Sequence, residues 1–433
     1  MGGDSIARLL EGRYEDRDGG PPLAVPTRSV VIEESLAGHE ADLVKALDLG
    51  GRLTVVSDAT THAVLGESVA NALESIAAVE RLTLPANPHA DGETTARIAA
   101  ETASSDALIA VGSGTINDLC KYAGAKAGKP YAVFATAPSM NGYGSITAAI
   151  MIDGHKKSLP AQAAAGIFID LSVFAAAPSR MIRSGLGDSL CRPTAQADWL
   201  LAHLLRDEPY RQAPFELLAE DEDALFGEPQ ALLQGDLEVM RRLARTLVLS
   251  GFGMTISGGS YPASQGEHLI GHYVEMMGDP AGPVSYHGEQ IGVTTLTMAR
   301  LQKRLLDGPA PVLQADGLTE ADLRAHFGEA LGASCWREFA RKRLTPVDIE
   351  PLNARLAERW PEMVKRIGAI SRAPFMLEEV LAKAQAPRRP ADLSWSESFY
   401  REAVGHAREI RDRYTFLDLA ADARLLDGEA IVA

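Results

Sequence analysis

The sequence predicts an α/β N-terminal domain built on a parallel sheet, followed by an all-α C-terminal domain. Three observations carry this expectation. Between about residues 30 and 170, short apolar runs alternate with longer stretches of helical periodicity; repeated β–α units of that size build parallel sheets covered by helices. After about residue 175 the pattern is helical alone. At 433 residues the chain also exceeds what one hydrophobic core normally organises, so two domains are the natural division. The expected organisation is an N-terminal arm over 1–26, an α/β domain over 27–175 and a helical domain over 176–433.

The elements follow in order. The arm is polar and carries Gly19-Gly20-Pro21-Pro22. Strands are expected at 30–33, 53–56, 79–84, 107–111, 131–135 and 166–170, with helices at 41–49, 62–76 and 94–104. Ligands in such sheets bind beyond the carboxyl ends of the strands, where Asp58, Gly112, Thr136 and Ser139 fall. The later helices are expected at 178–186, 189–205, 232–250, 268–277, 289–305, 320–331, 347–367, 376–385 and 396–414. The acidic stretch 216–228 reads as a solvated connection.

Composition excludes several classes. A net charge of −16 argues against a nucleic-acid partner or an anionic membrane surface, while leaving room for a local basic pocket. No apolar run approaches the roughly 18 residues of a membrane span, and the N-terminus, with Asp4, Glu11, Glu15 and Asp16, lacks a signal-peptide pattern. Cys120, Cys191 and Cys335 are widely spaced, suggest no disulfide framework and read as small apolar fillers. A cytoplasmic location is the simplest fit.

Two motifs carry chemistry. The strand at 107–111 runs into Gly112-Ser113-Gly114-Thr115 and a helix over 116–125. Glycines let backbone approach a pyrophosphate, and a helix N-terminus offers N–H groups and a positive dipole end. The spacing is not that of the usual dinucleotide fingerprint, since Asn117 stands where its third glycine would fall. An ordinary strand-turn-helix connection would read the same way. Asp58, ending another strand, suits either a ribose hydroxyl or the N-cap of the helix that starts at Ala59. The second motif is Glu267-His268, His272 and then His287-Gly288. Residues four apart share a helix face, so His268 and His272 can enter one cavity, and His287 opens a further helix. Imidazole is the commonest ligand of a catalytic divalent metal, and Gly185-Leu186-Gly187-Asp188 offers a carboxylate upstream. Three unrelated histidines would give the same spacing; the nucleotide-type turn in the same chain weighs against that.

In order along the chain, Gly112 to Leu119, Thr136-Ala137-Pro138-Ser139-Met140, Gly187-Asp188 with Ala197-Asp198-Trp199, Glu267-His268, His287-Gly288 and Arg413-Tyr414-Thr415-Phe416 resemble the glycerol-1-phosphate dehydrogenase family. That family lies within the iron-containing alcohol dehydrogenase and dehydroquinate synthase-like superfamily. The resemblance implies a dinucleotide-binding domain over 27–175 and a metal-binding catalytic domain over 176–433. It implies Asp188, His268 and His287 as ligands of one divalent metal (zinc, nickel or iron), with His272 an active-site neighbour and proton relay. NAD(P)(H) would lie across Gly112, Ser113, Gly114, Thr115 and Asp118, with Thr136 and Ser139 nearer the reactive ring. The reaction implied interconverts a small phosphorylated polyol and its ketone, first sn-glycerol 1-phosphate and dihydroxyacetone phosphate, with a place in phospholipid metabolism and a homo-oligomeric state. The substrate positions depart from the family: Asn141 replaces an acidic residue that faces substrate, Arg192-Pro193 stands where a lysine is common, and Tyr261-Pro262 replaces Arg-Pro. Arg192, Lys156 and Lys157 are the cations for a phosphate. A lyase or cyclase using nicotinamide catalytically, another polyol dehydrogenase, and a binding protein that kept the fold are the competing readings.

Overall fold

The computed structural model describes residues 4–279 and 281–426, so the expected arm and helical domain each extend a few residues beyond what is described. Eight strands precede residue 171: β1 (Ser29–Glu33), β2 (Arg52–Asp58), β3 (Ala78–Leu84), β4 (Ala107–Gly112), β5 (Tyr131–Ala135), β6 (Thr147–Ile152), β7 (His155–Pro160) and β8 (Gly166–Asp170). Six form one sheet in the order β1-β8-β5-β4-β2-β3, every pairing parallel. All six expected strands are present, because a central parallel strand is covered on both faces and reads as a continuous apolar run. β4, β5 and β8 are buried at every position. Alternate residues (Leu53 and Val55, Ile109 and Val111, Ala132 and Phe134, then Phe168) line one face and pack with Val69, Ala70 and Leu73 of the following helix. The period of two along a strand is what gathers them.

After β8 the described chain is helical throughout. Its core joins Leu201, Leu269, Tyr273, Leu301, Phe339, Trp360 and Tyr400, residues spread over helices at 192–206, 266–277, 287–306, 329–339, 346–368 and 397–406.

The chain divides into two compact units whose borders cross the sequence order. The first comprises 1–152, 157–189 and 211–260; the second comprises 153–156, 190–210 and 261–433. The polar arm therefore groups with the sheet, and its Ser5–Leu10 helix buries Ile6 and Leu9. So does the acidic segment read as a solvated connection. It contains an Ala219–Gly227 helix with Glu222, Leu225 and Phe226 buried; a charge-rich composition hid apolar residues at helical spacing. The β6–β7 hairpin went unread because its strands are only half-buried, as shown by Lys156, Lys157 and Ser158 in β7. The expected helix at 320–331 breaks at Gly328, whose φ of +85° ends one helix and opens the next.

Candidate active site

Within the first unit, the register sets three strand ends side by side. Gly112 pairs with Ala135 across β4 and β5, and Val56 pairs with Ala110 across β2 and β4, so Asp58, Gly112 and Thr136 share the carboxyl edge. The Thr136 N–H donates to the Gly112 carbonyl at 3.1 Å, extending the ladder by one bond past the strands. Ser113 caps the Gly114–Ala127 helix with backbone only; its hydroxyl makes no capping bond. A side chain at Gly112 would press on Ile116, and one at Gly114 would come within 2.7 Å of Met140 Cγ. The second glycine thus admits Met140 of the 139–142 loop. Asp58 Oδ1 accepts from Thr60 and Thr61 N–H at 2.8 and 2.9 Å, so the helix-capping alternative is realised through that oxygen. Asp118, implied as a cofactor residue, has its carboxylate engaged inside the protein: Oδ1 takes Lys121 and Asn117, and Oδ2 takes Ala149 N–H at 2.9 Å.

Asp188 lies on the Ser179–Leu190 helix, almost wholly buried. Gly185, one turn earlier, has no room for a Cβ, which would overlap the Pro138 carbonyl. Ser184 Oγ donates to the Ser139 carbonyl at 3.0 Å. The helix therefore lies directly on the 136–139 segment, and the Asn141 N–H donates to Asp188 Oδ2 at 2.8 Å. The Asn141 side chain is buried, and its Nδ2 has no hydrogen-bond partner among the described residues. A buried amide donor of this kind is costly unless a ligand uses it.

In the second unit, three imidazoles converge. His268 and His272 project from the Gly266–Met277 helix, and His287 begins the His287–Leu306 helix. Their ring centroids lie 5.1 Å (His268–His287), 5.7 Å (His272–His287) and 5.8 Å (His268–His272) apart. Two carboxylates orient two of the rings. His268 Nδ1 donates to Glu267 Oε1 at 2.9 Å, and His287 Nδ1 to Glu275 Oε1 at 3.4 Å. Each ring then presents Nε2 as its lone-pair nitrogen, the arrangement that fixes metal-binding imidazoles. Glu275 also pairs with Lys156 at 3.1 Å. Despite burial, Lys156 and His287 hold its carboxyl down at about 2.

His272 differs. Burial, then Arg411, His287 and His268, press its pKa well below the usual imidazole value, so it is neutral. Its Nδ1 lies 3.3 Å from an Arg411 guanidinium nitrogen. A guanidinium only donates, so Nδ1 is the acceptor and Nε2 carries the hydrogen. That tautomer makes His272 a hydrogen-bond donor through Nε2. Arg192 opens the Arg192–Arg206 helix and bonds Gln196 Oε1 at 3.5 Å. Tyr261 stacks on Trp199 at 5.7 Å and lies under the Arg413 guanidinium at 4.7 Å. Lys156, expected to face a phosphate, is engaged with Glu275. Glu275 and Arg411 escaped the sequence reading, although Glu275 follows His268 by seven residues and so shares its helix face.

Comparisons with known proteins place the chain among relatives. A family model described as iron-containing alcohol dehydrogenase matches residues 31–178. The glycerol-1-phosphate dehydrogenase [NAD(P)+] of Halalkalibacterium halodurans is 31% identical over 375 residues, covering 84% of this chain and 85% of that protein. The chain belongs to the glycerol-1-phosphate dehydrogenase family. It is an enzyme of the dehydrogenase class. The Bacillus subtilis member is 30% identical over 322 residues, covering 73% and 79% of the two chains. Among solved structures, maleylacetate reductase from Agrobacterium tumefaciens superposes with a TM-score of 0.62 at 16% identity, covering 93% of this chain and 96% of that one. Glycerol dehydrogenase from Schizosaccharomyces pombe gives 0.60 at 15% identity, covering 93% and 90%. At that identity the superpositions show a shared fold. No helix among the described residues is long and apolar enough to cross a membrane.

Proposed function

We propose that the protein is a metal-dependent NAD(P)(H) oxidoreductase interconverting a small phosphorylated polyol and its ketone, with sn-glycerol 1-phosphate and dihydroxyacetone phosphate as the first pair. The observation that carries the reading is the carboxylate-oriented pair His268 and His287 with the neutral donor His272 beside them. It occurs in a chain whose relatives over most of its length are named for that activity.

Asp188, His268 and His287 would hold one divalent metal. A set of one carboxylate and two imidazoles suits zinc, nickel or ferrous iron, and a bound ion supplies Lewis-acid polarisation of a substrate oxygen. The dinucleotide would lie across Gly112, Ser113, Gly114 and Thr115, with Thr136 and Ser139 toward the reactive ring. Asp58 would face the ribose through Oδ2, since Oδ1 caps a helix; a carboxylate there disfavours a 2′-phosphate and so favours NAD(H). His272 Nε2–H would donate a hydrogen bond to the substrate oxygen, and Asn141 Nδ2 would donate to a neighbouring hydroxyl. Arg192 grips the phosphate, a role suited to a planar fork of donors. A cytoplasmic homo-oligomer completes the reading.

The test is a panel of polyol and ketose phosphates offered with NADH and NADPH after reconstitution with each metal in turn. Oxidation of NADH with dihydroxyacetone phosphate is expected. If metal and cofactor bind and no panel member is turned over, the reading is rejected.

A further inference from the structure

Lys121 lies fully buried on the Gly114–Ala127 helix. Its ammonium reaches four oxygens: Gly142 O at 2.7 Å, Ser145 Oγ and Thr147 O at 3.0 Å each, and Asp118 Oδ1 at 3.2 Å. Three of the four sit on the segment that follows Asn141. The other Asp118 oxygen holds Ala149 N–H, at the start of the same hairpin. An ammonium is a compact donor with three hydrogens and no acceptor, so sequestering it fully is costly unless all of those hydrogens are used. Burial holds its pKa below the usual lysine value, and Asp118 offsets only part of that. One ion pair, its ammonium fully buried, therefore pins residues 142–149 to the helix that opens at the Gly112–Thr115 turn. At the near end of that segment, the Asn141 N–H grips Asp188 Oδ2 at 2.8 Å.

We propose that Lys121 is a positioning residue for the reaction, setting the path of the 141–147 segment so that Asn141 presents its side chain and its main-chain N–H holds the Asp188 carboxylate in the orientation that binds metal. The proposal rests on the reading of Asp188 as a metal ligand. Lys121 touches neither the turn glycines nor the imidazoles, so its influence separates from theirs. Loss of Lys121 alone would leave the half-buried Asp118 carboxylate without its cation. The pair is therefore removed together, as Lys121→Met with Asp118→Asn.

The experiment titrates metal-free protein with Co(II), follows the visible d–d band, and records circular dichroism and the melting temperature of the same samples. In the double variant, Co(II) affinity is expected to fall about ten- to a hundredfold, as when the groups that orient metal ligands are lost. The band shape should change, while the far-ultraviolet circular dichroism stays at its wild-type form. A purely structural Lys121 would lower the melting temperature and leave the Co(II) affinity and spectrum at their wild-type values; that result overturns the proposal. Should the double variant not fold, Lys121→Arg carries the test. A planar guanidinium keeps the charge but cannot meet the same four acceptors, so the same loss is expected and wild-type Co(II) affinity overturns the proposal. Asp188→Ala is titrated alongside. Undiminished Co(II) affinity there overturns the metal reading and this proposal with it, whereas loss there but not in the Lys121 variants overturns this proposal alone.

Discussion

Asn141 stands where the resemblance implies an acidic residue, and its environment says why the change matters. Its main-chain N–H holds Asp188 whatever the side chain is, while its buried Nδ2 has no partner among the described residues. The bond to Asp188 thus survives the substitution, and under the proposed function the group offered to substrate changes from an acceptor-only carboxylate to an amide. Asn141→Asp is predicted to raise turnover of dihydroxyacetone phosphate by about ten- to a hundredfold, the worth of one well-placed polar contact. Steady-state rates with NADH decide it, and a fall in turnover would mean that Asn141 defines a different specificity. Glu275 makes a second residue-scale case. It joins Lys156 to His287, and both partners keep it ionised. Glu275→Gln keeps the shape but loses the charge that fixes the His287 ring, so metal affinity should drop about ten- to a hundredfold by competition with a chelator.

At the scale of elements, close approach is the recurring device. The Ser179–Leu190 helix reaches the Pro138 carbonyl because Gly185 has no Cβ, and one turn later that same approach brings Asp188 to the Asn141 N–H. Gly185→Ala forces the helix away from backbone that cannot yield. We predict a destabilisation of about 1–3 kcal/mol, the usual cost of overpacking, read by urea denaturation, together with weakened metal binding. A variant with wild-type stability and metal affinity would show that the contact is not needed. The strands were legible because full burial leaves continuous apolar runs, as in β4 and β5. The β6–β7 hairpin was not, since half-buried strands rich in Lys and Ser resemble a loop. Likewise, Gly328 ends a helix by its positive φ, a conformation that no periodicity signals.

At the scale of the whole molecule, metal binding and folding are linked. Any ion that binds only the native protein stabilises it by RT ln(1 + [L]/Kd), about 2.7 kcal/mol at a hundredfold excess over Kd. Zinc or nickel is therefore predicted to raise the melting temperature of the metal-free wild type and to leave that of folded His268→Ala unchanged. An equal shift in both proteins would mean that the ion binds elsewhere. The two compact units also show that domain membership is not contiguous in sequence. Residues 211–260 return to the sheet-containing unit after 190–210 have joined the helical one.

By itself the sequence determined the α/β-then-α architecture, all six strands of the main sheet, the glycine turn and the three histidines, because these depend on local periodicity and on residue type. Only the tertiary structure decided the assignments that depend on what a side chain meets. Asp58 turned out to cap a helix with one oxygen, Asp118 to neutralise Lys121 rather than lie open, and Lys156 to pair with Glu275. Arg411 fixes the His272 tautomer from 139 residues away in sequence. Such partners are chosen by chain segments that meet only on folding. A hydrogen bond acts over about 3 Å, whereas residues far apart along the chain carry no pattern that links them.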